Sequence, residues 1–380
     1  MTLSNFKILE LSTCFFIISN ILDYSGFIGL KYVSFIVLIS SILLNFQQIK
    51  LSRNQILFFG FLMFFFCLSL ITTIINDGSI QFALQYNLAI ITLIICSVLV
   101  NYVDSNKMLN FLMNVLLYSS TLIIFGNVFS NIYPVKSITN ILVLFASDYD
   151  TYEGIRSSSM IIVPKIYFQF TLFLPAAYIY FLFKKNYVKS LIILISIILS
   201  LSRGAIFIAL IFSLLFFLRN KNFKDLIKNI FLIILFACIM LYLINIFVPN
   251  IFIHFFNLQN ISEFSVSTRI DQIKIIMDLF LDNIFIFLFG MGSGTPIYLN
   301  FIAEYVYAIE IAPLDIIRKY GLIFFAFIFI LMFRIIKNSS IINTYILLSL
   351  VFATLTNPIL TAPIFILIFS LCNKNIFINK

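Results

Sequence analysis

Charge is what this chain has least of. Asp, Glu, Lys and Arg make up 10% of its 380 residues, where a soluble globular domain carries roughly 25%. That shortage excludes a water-soluble core. Histidine is reduced to one residue, His254, set among Ile and Phe. No His, Cys, Asp or Glu cluster has zinc-like spacing, so neither a metal nor a cofactor is expected. The five cysteines (Cys14, Cys67, Cys96, Cys238 and Cys372) are scattered through apolar segments without a CxxC pair. They read as small buried hydrophobes. No repeat of the 20–50-residue kind is present, which argues against solenoids. A basic leader ending in an A-x-A-like site is also missing, so the first apolar segment is expected to be a retained span.

What remains is apolar. Hydrophobic residues make up 62% of the chain, and mean hydropathy is +1.12. Apolar runs of about 18 residues or more recur, the mark of a polytopic helical membrane protein. A membrane β-barrel would show alternating segments of about ten residues instead. The whole of 1–380 reads as a single, all-α integral membrane domain. About twelve spans are expected, at 6–22, 27–46, 55–75, 80–100, 108–129, 164–183, 190–202, 204–218, 230–248, 322–333 (starting earlier, near Glu310), 341–355 and 359–371.

The net charge of +9 does not point to nucleic acid, because the basic residues sit in short loops between spans. With the N-terminus inside, one side collects Lys50, Arg53, Lys107, Lys184, Lys185, Lys189, Arg219, Lys221, Lys224, Lys228, Arg334, Lys337, Lys374 and Lys380. The other collects Asp23, Asp77, Asp148, Asp150 and Glu153. The positive-inside rule then puts both termini in the cytoplasm. Two large loops, 130–163 and 249–310, face outward.

Polar residues concentrate in 249–321. Arg269 precedes an apolar run, 270–289, that carries Asp271, Lys274, Asp278 and Asp282. Asp271, Lys274 and Asp278 share a face, so the run reads as an amphipathic helix at the outer interface. Arg269 is expected at its start, where free backbone N–H groups also favour an anion. Gly290-Met291-Gly292-Ser293-Gly294 lacks the preceding strand and following Lys-Ser/Thr of a nucleotide loop. It is either a turn or a small anion nest built on the amides of Gly292 and Gly294. Glu310 enters an apolar span, with Asp315, Arg318 and Lys319 close behind. A carboxylate there is costly and marks a functional site by default; a salt bridge to Arg318 or Lys319 is the alternative. Earlier in the chain, Arg203 separates two short apolar segments. Either one long helix buries it or a tight turn near the outer surface exposes it. Arg156 lies in the first loop.

The order of these pieces resembles the O-antigen ligase/polymerase superfamily. The resemblance rests on Leu199-Ser200-Leu201-Ser202-Arg203-Gly204-Ala205, on Arg269 with the run into Phe289-Gly290-Met291-Gly292-Ser293-Gly294, and on a polar residue eleven positions before Gly321. It covers about 190–360. In the ligase branch that last position resembles a His-Asn pair; here it is Glu310-Ile311, closer to the Wzy-type polymerases. The resemblance implies a GT-C-like membrane fold in a bacterial inner membrane, with 130–163 and 249–310 as periplasmic loops. It implies an enzyme that joins repeat units carried on undecaprenyl pyrophosphate, with membrane lipids, a flippase and a chain-length regulator as partners.

Under that reading Arg203 and Arg269 meet the pyrophosphate charge, and Glu310 accepts or aligns the acceptor hydroxyl's proton. Arg156, Gly292, Gly294, Asp315 and Arg318 are the expected substrate contacts. Tyr149, Tyr152, Tyr298, Tyr305 and Tyr307 are candidates for stacking on sugars. Two rivals remain: a ligase moving glycan to lipid A core, and a lipid-glycan flippase or transporter, whose usual paired repeats are missing here.

Overall fold

The structure, a computed structural model, describes residues 2–23, 28–45, 49, 51–132, 168–200, 202–218, 262–355 and 357–372. The described chain is mostly helical. Its first part is α1 (Thr2–Leu22), α2 (Leu30–Leu44), α3 (Arg53–Ile75), α4 (Ile80–Leu99) and α5 (Ser105–Ile132). After a 3-10 turn at Gln169–Phe173 come α6 (Leu174–Phe183), α7 (Tyr187–Leu199) and α8 (Arg203–Leu218). Next are α9 (Ser262–Asp282), α10 (Ile284–Phe289) and the strands β1 (Ile297–Leu299) and β2 (Glu304–Val306). The described chain closes with α11 (Ala312–Asn338), α12 (Ile341–Thr354) and α13 (Pro363–Cys372).

Four of these helices are long and apolar enough to cross a membrane: Arg53–Ile75, Ile80–Leu99, Ser105–Phe125 and Ala312–Asn338. The 23 residues of α3 rise about 34 Å, against a hydrocarbon core of about 30 Å. Its start is fixed by a capping box, in which Ser52 and Gln55 each bond the other's backbone N–H. The expected spans at 190–202, 204–218, 341–355 and 359–371 appear as shorter apolar helices. Two of the short helices are enclosed by their neighbours. In α6, Leu174–Leu182 are buried on every side, and in α13 so are Ile364–Cys372. Helices apolar all round belong inside a bundle. α6 lies among α5, α7, α8 and α12, and α13 packs against α4 and α5. The expected span 230–248 lies outside the described residues.

The stretch read as polar has a small core of its own. Ile276 and Phe280 of α9 meet Met291, Ile297, Leu299, Ile309 and Ile317. The amphipathic helix begins earlier than its apolar pattern suggests, at Ser262, so Arg269 stands two turns inside it. The anion-binding helix start expected at Arg269 is therefore corrected: in mid-helix the backbone N–H groups belong to the ladder. Three sectors divide α9. Thr268, Gln272, Ile276 and Phe280 are buried, Ile270, Ile273, Met277 and Leu281 form an exposed apolar stripe, and Lys274, Asp278 and Asp282 a charged one. Asn283 then caps α10 by accepting from the N–H groups of Phe285 and Ile286. β1 and β2 form an antiparallel hairpin pairing Ile297 with Val306, Tyr298 with Tyr305 and Leu299 with Glu304.

α11 is broken. Gly321 has φ 87° and ψ 165° in the middle of it, a conformation that suits glycine. Carbonyls before such a break lose their usual partners. Here the carbonyls of Arg318 and Lys319 accept from the N–H groups of Met291 and Gly292, at 2.8 and 3.2 Å. The approach is close on both sides. A Cβ on Gly321 would lie 2.2 Å from the Leu288 carbonyl oxygen, and one on Gly290 would lie 2.5 Å from that of Lys319. Gly321→Ala therefore combines left-handed strain with a backbone clash, and a loss exceeding about 1 kcal/mol is expected. Gly60 of α3 has nothing within 4 Å of its Cβ position, so Gly60→Ala is expected to be neutral or to stabilise by up to about 1 kcal/mol. Thermal unfolding of the two purified variants in detergent checks the contrast.

Candidate functional site

Glu310 and Arg269, 41 positions apart, meet directly. Arg269 donates from Nε to Glu310 Oε2 at 2.6 Å, and the two side chains are 35% and 41% exposed. One turn along α9, Gln272 Oε1 accepts from the Glu310 backbone N–H at 3.3 Å. Arg269 and Gln272 lie three residues apart and share a helix face. One surface of α9 thus holds Glu310 by side chain and backbone. A third contact ties the hairpin to α9: the Phe301 N–H donates to Asp271 Oδ2 at 2.9 Å. A half-exposed ion pair of this kind contributes about 0–1 kcal/mol, so the fold does not depend on it.

Asp315 is arranged differently. Its Oδ1 accepts from Arg318 Nη2 at 2.8 Å and from Nε at 3.2 Å, and its Oδ2 from Lys319 Nζ at 2.7 Å. Arg318 is fully buried. Its other donors reach the Thr295 carbonyl at 2.7 Å, the Tyr307 carbonyl at 2.8 Å and Met291 Sδ at 3.9 Å. All five guanidinium N–H groups are therefore engaged. Lys319, also buried, lies 3.5 Å from the centre of the Tyr86 ring on α4, a cation–π contact. Arg318 and Asp315, expected as substrate contacts, are both buried here, and their bonds run inward. The salt bridge read as an alternative for Glu310 belongs to Asp315.

The glycine cluster is a packing joint. The Gly292 N–H goes to the Lys319 carbonyl, the Ser293 N–H to Ser69 Oγ at 3.1 Å and the Gly294 N–H to Thr73 Oγ1 at 3.2 Å. With these amides engaged, the anion nest expected at Gly292 and Gly294 is not formed. A Cβ on Gly292 would lie 2.4 Å from the Thr73 backbone nitrogen, and one on Gly294 2.1 Å from the Ser79 carbonyl oxygen. Glycine is needed there for close approach.

Arg203 opens α8, α7 ends at Leu199 and Ser202 between them is not helical, so a single long helix through it is excluded. Arg156, Tyr149, Tyr152 and His254 lie outside the described residues. Of the other tyrosines, Tyr298 and Tyr305 are exposed and pair across the hairpin with ring centres 5.1 Å apart. Tyr307 stacks instead on Phe82 of α4 at 4.0 Å.

Several residues of this region drew no attention in the sequence. Ser69, Thr73 and Asn76 of the α3 end bond the 291–294 loop, Asn76 Nδ2 reaching the Met291 carbonyl at 2.9 Å. Gln272 and Tyr86 complete the surroundings of Glu310 and Lys319. A signal was present: Ser69, Thr72, Thr73 and Asn76 form a polar patch at the end of an otherwise apolar span, and polar groups at membrane depth seek partners.

Comparison with known proteins adds one match. Residues 189–315 match a family model described as O-antigen ligase. The matched stretch contains Arg203, Arg269, the 290–294 loop, Glu310 and Asp315. No curated protein and no solved structure matches. Apolar helices of spanning length and this match together make it a membrane protein. Residues 189–315 are thus similar to the O-antigen ligase family, consistent with the O-antigen ligase/polymerase superfamily.

Proposed function

We propose that this protein is a Wzy-type polymerase. It joins oligosaccharide repeat units carried on undecaprenyl pyrophosphate, at the periplasmic face of a bacterial inner membrane. The observation that carries this reading is the half-exposed Arg269–Glu310 pair inside the matched domain. Glutamate at position 310, in place of the ligase-type histidine, favours polymerase over ligase. A flippase supplying the lipid-linked units and a chain-length regulator belong to the same proposal.

The chemistry follows from the pair. An acceptor sugar hydroxyl attacks the donor's anomeric carbon, forming the new C–O bond. The bond from that carbon to the pyrophosphate oxygen breaks, and the oxygen keeps the electron pair. Pyrophosphate leaves readily once its charge is met, so no general acid is needed. Arg269 turns from Glu310 to the pyrophosphate, assisted by Arg203 from α8. Glu310, released from Arg269, takes the hydroxyl proton. Tyr298 and Tyr305, exposed on the hairpin, offer a stacking surface for a sugar ring.

Arg269→Ala and Glu310→Gln are expected to accumulate in membranes at normal levels, because the pair contributes only about 0–1 kcal/mol. Both are expected to lose long-chain polysaccharide on a gel, leaving single repeat units on the lipid A core. Absence of any unit on the core would point to a ligase instead. The exchanged pair, Arg269→Glu with Glu310→Arg, is expected to stay inactive; a restored ladder would reduce the pair to a structural contact.

Tyr298→Ala tests the aromatic surface. Cross-strand aromatic pairs contribute about 0.2–1 kcal/mol, so the hairpin is expected to persist. With purified lipid-linked units, the half-saturating substrate concentration is expected to rise several-fold while the maximal rate holds. An unchanged half-saturation would remove Tyr298 from the site.

A further inference from the structure

Thr295 lies two residues before β1 and Tyr307 directly follows β2. Their carbonyls are the two sides of the hairpin's neck, and Arg318 holds both, Nη1 to Thr295 and Nη2 to Tyr307. Its remaining bonds go to Asp315 on the first turn of α11 and to Met291 Sδ. One guanidinium therefore ties the entry and exit of the 295–307 excursion to the start of a membrane helix. Glu310 leaves this neck three residues after Tyr307. We infer that Arg318 is the positioning residue of the site, clamping the hairpin neck so that Glu310 meets Arg269 on α9. This rests on the proposed role of that pair.

The geometry of the clamp needs arginine. A planar fork reaches two carbonyls and a carboxylate at once, whereas an ammonium is a single point of donation. The local charge count makes the idea testable. Two cations, Arg318 and Lys319, share one carboxylate, Asp315. Arg318→Met removes the clamp and leaves Asp315 and Lys319 as a one-to-one pair, so no buried carboxylate is stranded. Arg318→Lys keeps a cation but gives up the fork.

The experiment uses the full chain with its five cysteines replaced. Spin labels go on Glu304→Cys, exposed on the hairpin, and on Ile330→Cys, exposed far along α11. Distance distributions are measured by pulsed electron resonance in lipid nanodiscs. Polymerisation is measured on the corresponding unlabelled variants with purified lipid-linked units. With Arg318 the distribution is expected to be narrow. Arg318→Met and Arg318→Lys are expected to broaden it at least two-fold and to lower the maximal rate ten-fold or more, with little change in half-saturation. An unchanged distribution in both variants overturns the clamp, whatever the activity. So does a broadened distribution with full activity, or failure of both variants to accumulate, which would assign Arg318 to folding alone. The distance readout does not depend on catalysis. A wild-type chain that polymerises nothing counts against the proposed function, and the clamp is still decided by the distances.

Discussion

The structure turns on the meeting of two backbones at Gly290 and Gly321. Interrupting a membrane helix leaves carbonyls without partners, and an unpaired carbonyl in a low-dielectric region costs several kcal/mol. The break at Gly321 is tolerable because Met291 and Gly292 supply the missing donors. Those donors reach the break only because neither chain carries a side chain at the point of contact. Once the 290–294 loop is seated there, its far side falls against α3 and α4 through Ser69, Thr73 and Ser79. The loop joins the stretch that carries the polar chemistry to the helices that carry the apolar bulk.

Much of the fold is legible in the sequence, since a run of about 18 apolar residues has few structural outcomes. The spans at 55–75 and 80–100 appear almost as read, as α3 and α4. The apolar periodicity that predicts a helix at 270–289 begins at Ile270. The polar turns before it, from Ser262, carry no such period, so the sequence does not show them as helix. The separate α10 follows from Asn283, whose side chain caps a new start. That cap looks like one more polar residue until its φ of −142° is seen.

The site divides in the same way. Asp315 with Arg318 and Lys319 falls at i, i+3 and i+4, a helical spacing that sequence can show. Arg269 and Glu310 could each be singled out as charges bordering apolar segments, but no local rule pairs residues 41 positions apart. The glycine loop was ambiguous for a related reason. A nest and a joint have the same local sequence and differ only in what their amides meet. Here the Ser293 and Gly294 amides meet Ser69 and Thr73, more than 200 positions away.

The two carboxylates show why one of them suits chemistry. Asp315 is buried with two cations, and removing one partner from such a group costs about 3–5 kcal/mol when it strands a charge. It cannot release its partners during a reaction without endangering the fold. Glu310 is half-exposed and bound to one guanidinium that contributes little to stability. Exchanging that guanidinium for a substrate hydroxyl costs the fold almost nothing, and Arg269 keeps its charge for an anion arriving beside it. An immobile carboxylate anchors the hairpin, and an exchangeable one stands where the hairpin's exit meets α9. That difference in exchange cost, more than the identity of either residue, favours Glu310 as the proton acceptor and Asp315 as part of its support.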